Sequence, residues 1–550
     1  MRMHRRTVGI FSAMVLAMTL LLFRLGAIIQ GDGLSQAALR QSSYLLEVGS
    51  TRGMIYDRNF QPLVGETVEA VAAVLPGEES AALAGKLSGE EREAFTQKLA
   101  QRLPFLTRLP GELRSFPAGV TPMERILRYR KSGQLAPHVI GYLDGENGAA
   151  GIEKAYDSLL KQFGGSLCLR YQINAAGSPI GGELPQEVQE GYGRPGGVVL
   201  TLDKEIQSIA QSAAKRWIDK GAVVVMDVRS GDLLAVVSLP DFDPNNLSKS
   251  MAQKDSPFFN RAFHGEYNVG STFKLVTAST ALEQGISRFR TFDCTGAVEV
   301  EDVTFHCHKL SGHGVLDMQG AMEWSCNPYF ITLGQMAGGE NILKKAQAIG
   351  FGSPSQLAPG IATASGSLPA LEAMESPAEV ANLSFGQGKL TATPVQIAQL
   401  VSTVANGGKS VHPRLVYGTT EDGLSIQNQE EGYAQNQVIS PAAAKRVAQF
   451  MVDTVEYGSG QKAKPKASGA GGKTASAQTG IYEDGVEIVH AWFAGFYPAE
   501  EPRYTIVVLA EGMESGGDYA APVFQEIADG IADYKGMDFP QPPASEEGES

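Results

Sequence analysis

The sequence has no excess of positive charge. Its 46 Lys and Arg are outnumbered by 60 Asp and Glu, a formal charge of -14, which argues against nucleic acid as the main partner because that ligand normally needs a basic face. Charged residues make up only 19% of the chain against 43% hydrophobic. The 550 residues can therefore bury more than one core, and the size favours two or more domains. Internal repeats and an appended C-terminal binding module are lacking. Cysteine is scarce: Cys168, Cys294, Cys307 and Cys326 are the only four. They allow a disulfide in an oxidising exterior, with Cys294 and Cys307 the nearest pair, but spacing does not show the Cα separation that a bridge requires. That pairing stays open. Cys294 and Cys307-His308, with His306 and His313 nearby, also invite a zinc reading. The spacing is irregular, however, and no metal or other cofactor is expected. Cys326 lacks an assigned base and reads as a small buried residue rather than a nucleophile.

The N-terminus lacks charge from Val8 to Phe23, behind the basic stretch Met1-Arg2-Met3-His4-Arg5-Arg6. Continued past Arg24 to Ile29, this run makes a helix of roughly 30 Å at ~1.5 Å per residue, enough to span a bilayer if Arg24 snorkels to the outer interface. The basic end then stays inside, and the rest of the chain faces outward. A cleaved signal peptide is the rival reading, but no clear Ala-x-Ala site follows the apolar run.

Four Ser-x-x-Lys tetrads are present, where average usage predicts roughly one or two by chance. Ser158-Leu159-Leu160-Lys161 and Ser212-Ala213-Ala214-Lys215 lie in helix-like stretches where the lysine is a solvated face. Ser459-Gly460-Gln461-Lys462 lies in a Gly/Lys-rich loop and reads as a flexible connector. Ser271-Thr272-Phe273-Lys274 differs. Gly270 precedes it and helical character follows, so Ser271 sits at a helix start, where backbone N–H groups and the dipole favour a developing oxyanion. Lys274 lies one turn on, on the same face. It can deprotonate the hydroxyl only if burial or a cationic neighbour keeps it neutral, and Lys473 would be such a neighbour.

Only this tetrad is followed by both Ser325-Cys326-Asn327 and the chain's single Lys-Thr dipeptide, in Lys473-Thr474-Ala475. Ser325 and Asn327 alternate on a short turn and could relay a proton or hold a substrate amide, or could instead cap a helix before Pro328. The segment from Lys473 follows Gly469-Ala470-Gly471-Gly472 and looks like a strand edge. Such an edge can dock an extended peptide, with Lys473 and Thr474 attracting its carboxylate.

Taken in order, these motifs resemble those of the class B penicillin-binding proteins, the membrane-anchored D,D-transpeptidases that cross-link bacterial peptidoglycan. The resemblance covers nearly the whole chain. It extends to Arg52-Gly53-Met54-Ile55-Tyr56-Asp57-Arg58-Asn59, Gly151-Ile152-Glu153-Lys154-Ala155-Tyr156-Asp157, Asn260-Arg261-Ala262, Phe385-Gly386-Gln387-Gly388 with Thr393-Pro394, and His490-Ala491-Trp492-Phe493-Ala494-Gly495-Phe496. It implies Ser271 as acylated nucleophile, Lys274 as its base, and Ser325 and Asn327 as the proton-relay and substrate-holding pair. Lys473 and Thr474 would bind the substrate carboxylate, and the backbone N–H groups of Ser271 and Ser476 would form the oxyanion hole. Two positions depart from the family pattern: Val269-Gly270 stands where Pro-Gly is usual, and Ala475 where glycine is usual. The added methyl is expected to crowd an acylating ligand.

The implied architecture is an α/β (α+β) transpeptidase domain of serine β-lactamase type, with an antiparallel sheet and helices. The expected organisation is a cytoplasmic tail at 1–6, a transmembrane anchor at 7–30, an elongated N-terminal pedestal module at 31–195, the penicillin-binding domain at 196–536 and a disordered tail at 537–550. Strands are expected at Val198–Leu202, Ala222–Asp227 and Leu233–Val237, around a helix from Lys204 to Asp219. A further strand pair is expected at His490–Tyr497 and Tyr504–Glu511, and a helix-like stretch at Glu78–Arg102. Implied partners are peptidoglycan stem peptides, β-lactams, the membrane and, because no glycosyltransferase module is apparent, a polytopic glycan polymerase. A β-lactamase or β-lactam sensor is disfavoured by the long N-terminal module. A non-catalytic scaffold has only Ala475 in its favour.

Overall fold

The computed structural model describes residues 2–30, 42–108, 115–174, 179–180, 184–429, 432, 434–483 and 485–536; the expected tail at 537–550 lies outside them. The apolar N-terminal run forms a helix over Arg2–Gln30. Its stretch His4–Ile28 has mean hydropathy 2.1, long and apolar enough to cross a membrane. Its large apolar side chains, such as Phe11, Leu16 and Leu21, are all exposed.

The chain divides into two compact units, one of Met1–Arg52, Gly65–Arg128 and Phe163–Arg194, the other of Gly53–Val64, Tyr129–Gln162 and Pro195–Ser550. In the first, strands Thr67–Val74, Phe105–Arg108 and Val120–Leu127 form one antiparallel sheet, and Ser43–Thr51, Gly165–Gln172 and Gln186–Glu190 a second. The expected helix across Glu78–Arg102 is broken into Glu78–Ala81, a tight 3-10 turn at Ala82–Lys86, and Gly89–Ala100. Leu83, Leu87 and Phe95 all enter one small core. The chain reaches it by extending at Leu87 and Ser88 and restarting at Gly89, whose φ of 54° suits glycine.

The second unit is built on helices α1 (Lys204–Trp217), α2 (Lys274–Glu283), α3 (Asn327–Ala337), α4 (Pro394–Ala405), α5 (Pro441–Glu456) and α6 (Ala521–Lys535). Its main sheet has strands β1 (Gly221–Asp227), β2 (Leu233–Leu239), β3 (Gly471–Glu483), β4 (Val486–Tyr497) and β5 (Tyr504–Glu511), in the order β2-β1-β5-β4-β3. Every pairing in it is antiparallel. Alternation along the strands explains their nearly unbroken apolar sequence. Val223, Val225, Phe493 and Val508 pack with Ile206 of α1 and Phe524 of α6. Val224, Trp492, Val507 and Leu509 pack with Val276 of α2 and Val401 of α4. Helices thus cover both faces, and each strand residue has a dry side to enter.

Two motif segments expected in the N-terminal module fold with this second unit. Gly53 N donates to Leu160 O at 2.8 Å. The Asp57 carboxylate accepts from the Asn59 and Gln61 amides at 2.8 and 2.7 Å, and from Lys204 N at the start of α1 at 3.0 Å. The segment beginning at Gly53 is therefore a clip that ties an early part of the chain to the sheet's outer helix. The two units meet in the chain at Arg194/Pro195.

Candidate active site

Ser271 lies in a single turn of 3-10 helix, Gly270–Phe273, that runs directly into α2. Gly270 has φ 52° and donates its N–H to Gly386 O at 3.0 Å. A Cβ there would stand 3.1 Å from the Ala477 Cβ and 3.4 Å from the Ala475 Cβ. The Ser271 turn is thus held between the Phe385-Gly386 turn and β3, and both the positive φ and the close approach favour glycine. Lys274 follows one turn later and is fully buried. Its Nζ donates to Ser325 O at 2.7 Å, Ser325 Oγ at 3.1 Å and Asn327 Oδ1 at 2.7 Å. Those three bonds use every donor of the ammonium, and among the described residues none runs from it to Ser271 Oγ. Burial pushes the Lys274 pKa down to about 7, opposed by the nearby Cys326 and Cys307 sulfurs.

Ser325 adopts φ 55°, a left-handed conformation unusual for a side chain that is not glycine. With it, the carbonyl and the hydroxyl of Ser325 both reach Lys274. The helix-cap alternative does not apply to Ser325 or Asn327: Cys326 holds the N-cap position of α3, with no side-chain cap bond. Asn327 is the first helical residue, and its Nδ2 donates to His306 O at 3.3 Å.

Lys473 is also fully buried, its Nζ donating to Thr474 O at 3.0 Å. Burial first, and then the Lys274 ammonium, hold its pKa well below the usual lysine range. Two ammonium groups in one dry site repel, so one proton is readily shed. Among the described residues β3 pairs only with β4, so it is the edge strand expected from sequence. Alternation puts Lys473, Ala475 and Ala477 on the face towards α2, and Thr474 and Ser476 on the other. Ala475 is 3% exposed, and its methyl packs beneath the Gly270 turn. The methyl therefore presses on the turn that carries Ser271. Ser476 is exposed, and its Oγ accepts from Gly516 N at 3.4 Å.

The other three tetrads separate clearly. Lys161 pairs with Asp157 at 2.7 Å and Lys215 with Asp241 at 2.6 Å, both at the surface. Ser459 is not in a flexible connector as expected. Its N–H donates to Glu323 O at 3.0 Å, and its Oγ lies 2.8 Å from Thr474 Oγ1. Sequence reasoning missed it because the link is made by β3 folding back beside the end of α5. The four cysteines are free thiols. Three of them, Cys294, Cys307 and Cys326, gather with His313 immediately behind the Ser325 turn.

Residues 221–529, more than half of the chain, match the family described as "Penicillin binding protein transpeptidase domain". Stage V sporulation protein D of Bacillus subtilis is 30% identical over 74% of this chain, and the chain spans 64% of that relative, a little under two thirds. Peptidoglycan D,D-transpeptidase PbpA of Mycolicibacterium smegmatis is 28% identical over 75% of this chain and 86% of its own length. Among solved structures, the D,D-transpeptidase domain of a peptidoglycan glycosyltransferase from Eggerthella lenta superposes with TM-score 0.64 at 24% identity, covering 88% of this chain and 99% of that one. The penicillin G acyl-enzyme of penicillin-binding protein A from M. tuberculosis gives 0.65 at 21% identity, covering 88% and 99%. The chain belongs to the penicillin-binding protein transpeptidase family, and its fold is that of the class B members.

Proposed function

We propose that the protein is a peptidoglycan D,D-transpeptidase that works through an acyl-serine at Ser271 and is inhibited by β-lactams. The observation that carries this reading is the buried Lys274, one turn after Ser271 and held by Ser325 and Asn327. A neutral Lys274 has two N–H donors left for those acceptors and a lone pair free for the Ser271 proton. Ser271 Oγ then attacks the carbonyl of the penultimate D-Ala of a stem peptide, and the oxyanion forms at the N–H groups of Ser271 and Ser476. The C–N bond to the terminal D-Ala breaks. Its nitrogen takes up a proton returned through Ser325, and D-Ala leaves. An amine from a neighbouring strand attacks the ester and loses its proton to Lys274; the C–O bond to Ser271 Oγ breaks, Lys274 returns the proton to that oxygen, and the cross-linked product leaves.

The substrate carboxylate would lie against the Thr474 and Ser459 hydroxyls, and its charge would favour a protonated Lys473. The extended peptide would pair with the free edge of β3. The N-terminal helix would hold the enzyme as a single-pass protein with the catalytic unit outside the cytoplasm, where a polytopic glycan polymerase would supply the strands. Labelling membranes with a fluorescent penicillin, with mass spectrometry of the modified peptide, tests the reading. The label should sit on Ser271 and decay slowly, and Ser271→Ala should abolish it while Ser158→Ala and Ser212→Ala label normally. Label on another residue would overturn the assignment, and rapid label loss would point to a β-lactamase.

A further inference from the structure

The acyl-transfer reading leaves unused three buried sulfurs and an imidazole nitrogen that converge beside the Ser325-Cys326-Asn327 turn. Cys294, Cys307 and Cys326 are 1%, 2% and 0% exposed. Their Sγ atoms and a ring nitrogen of His313 all lie within 4.8 Å of one another. His313 Nδ1 is 3.7 Å from Cys294 Sγ and 3.5 Å from Cys307 Sγ. A tetrahedral zinc with ordinary bond lengths has sulfur–nitrogen edges of about 3.6 Å and sulfur–sulfur edges of about 3.8 Å. Two of the three nitrogen edges are therefore already in place, and no other edge needs to close by more than about 1.2 Å.

Packing does not explain this arrangement. A buried cysteine ordinarily serves as a small hydrophobe and needs no sulfur neighbour, whereas here four donor atoms from separate segments lie within 4.8 Å of one another. Strand Phe292–Cys294 pairs with Gly314–Leu316, Cys294 opposite Gly314, which brings His313 beside Cys294. Cys307 is fastened by its N–H to Gly296 O at 2.8 Å. Cys326 arrives on the first turn of α3.

We propose that Cys294, Cys307, His313 and Cys326 bind one zinc ion in a closed structural site. Three thiolates and an imidazole suit zinc rather than magnesium or calcium, and four protein ligands leave no open position for catalysis. Binding releases the three thiol protons to solvent, with no change of oxidation state. A disulfide would use two of the sulfurs and leave the third sulfur and the imidazole without a role. The metal cross-links the loops of residues 292–316 to the head of α3 and so fixes Cys326 between Ser325 and Asn327, the two residues that hold Lys274. That last consequence rests on the acyl-serine reading, but the metal binding does not. The sequence expectation of no metal is replaced accordingly.

The test uses the full chain, purified in detergent without chelator. Zinc should be present at about one per chain, as for a structural four-ligand site, and fall at least tenfold in Cys294→Ser, Cys307→Ser and His313→Gln but not in Cys168→Ser. If those variants fail to fold, wild-type protein stripped and refilled with cobalt decides. A tetrahedral thiolate spectrum, with a sulfur charge-transfer band, supports the site. Folded, reduced protein that takes up neither metal would overturn it, as would a disulfide between any two of the three cysteines in protein trapped by alkylation from cells. Penicillin labelling on the same samples separates the two proposals: label without metal defeats only the zinc site, and metal without label only the acyl-serine enzyme.

Discussion

Acylation by a β-lactam should rise with pH and level off just above neutrality, because the proposed base, Lys274, acts only when deprotonated and burial pushes its pKa down to about 7. At that value the neutral fraction is about 0.09 at pH 6 and about 0.9 at pH 8, so the second-order acylation constant should rise about tenfold and then flatten. An ordinary lysine near 10.4 would give a rise of about 100-fold over the same two pH units, with no plateau. The size of the rise therefore reads the burial directly. Stopped-flow acylation between pH 5.5 and 9, with intrinsic fluorescence as a check that the protein stays folded, makes the measurement. Lys274→Arg keeps the charge at every accessible pH and should be at least ~100-fold slower at pH 8, the low end of what a general base contributes. A flat profile or near-normal acylation by Lys274→Arg would refute Lys274 as the base, and a rise near 100-fold would refute the lowering of its pKa by burial.

Ala475→Gly should destabilise rather than activate: the lost methyl burial of ~0.8 kcal/mol and the glycine entropy cost of ~0.5–1 kcal/mol sum to about 1.5 kcal/mol. The melting temperature should therefore fall by about 2 °C in a unit of this size, while a faster acylation rate at unchanged melting would place the methyl against the ligand instead. Ser459→Ala removes the 2.8 Å partner of Thr474 Oγ1. A hydrogen bond worth ~1 kcal/mol predicts about fivefold weaker capture of a carboxylate-bearing β-lactam with the acylation step itself little changed; an unchanged capture constant would leave Ser459 a purely structural residue.

How far the site could be read from sequence depended on whether its chemistry is local. Ser271 and Lys274 share one helical turn, so their spacing alone placed them together, and the order of the Ser325 and Lys473 motifs singled out, among four tetrads, the one whose lysine the structure brings against Ser325 and Asn327. Strand periodicity likewise located β1, β2, β4 and β5, because runs buried on both faces are apolar throughout. What stayed hidden are contacts made by segments far apart in the chain. Ser459 reaches Thr474 across 15 residues only because β3 returns beside the end of α5. Asp57 reaches Lys204 N across 147 residues, and no periodicity encodes that distance. The Cys294, Cys307, His313 and Cys326 cluster was legible only in part for the same reason: the first three invite a zinc reading from sequence, but the fourth donor comes from the distant Ser325 motif. Its two outer cysteines are brought together by a short strand pair and by the Ser325 turn, and the left-handed backbone of Ser325 lets one three-residue segment face two ways. Its hydroxyl and carbonyl reach Lys274 while the next side chain enters the sulfur cluster. The same turn therefore serves both the catalytic site and the zinc site, and loss of the metal should be felt first at Ser325 and Asn327, before any change at Ser271.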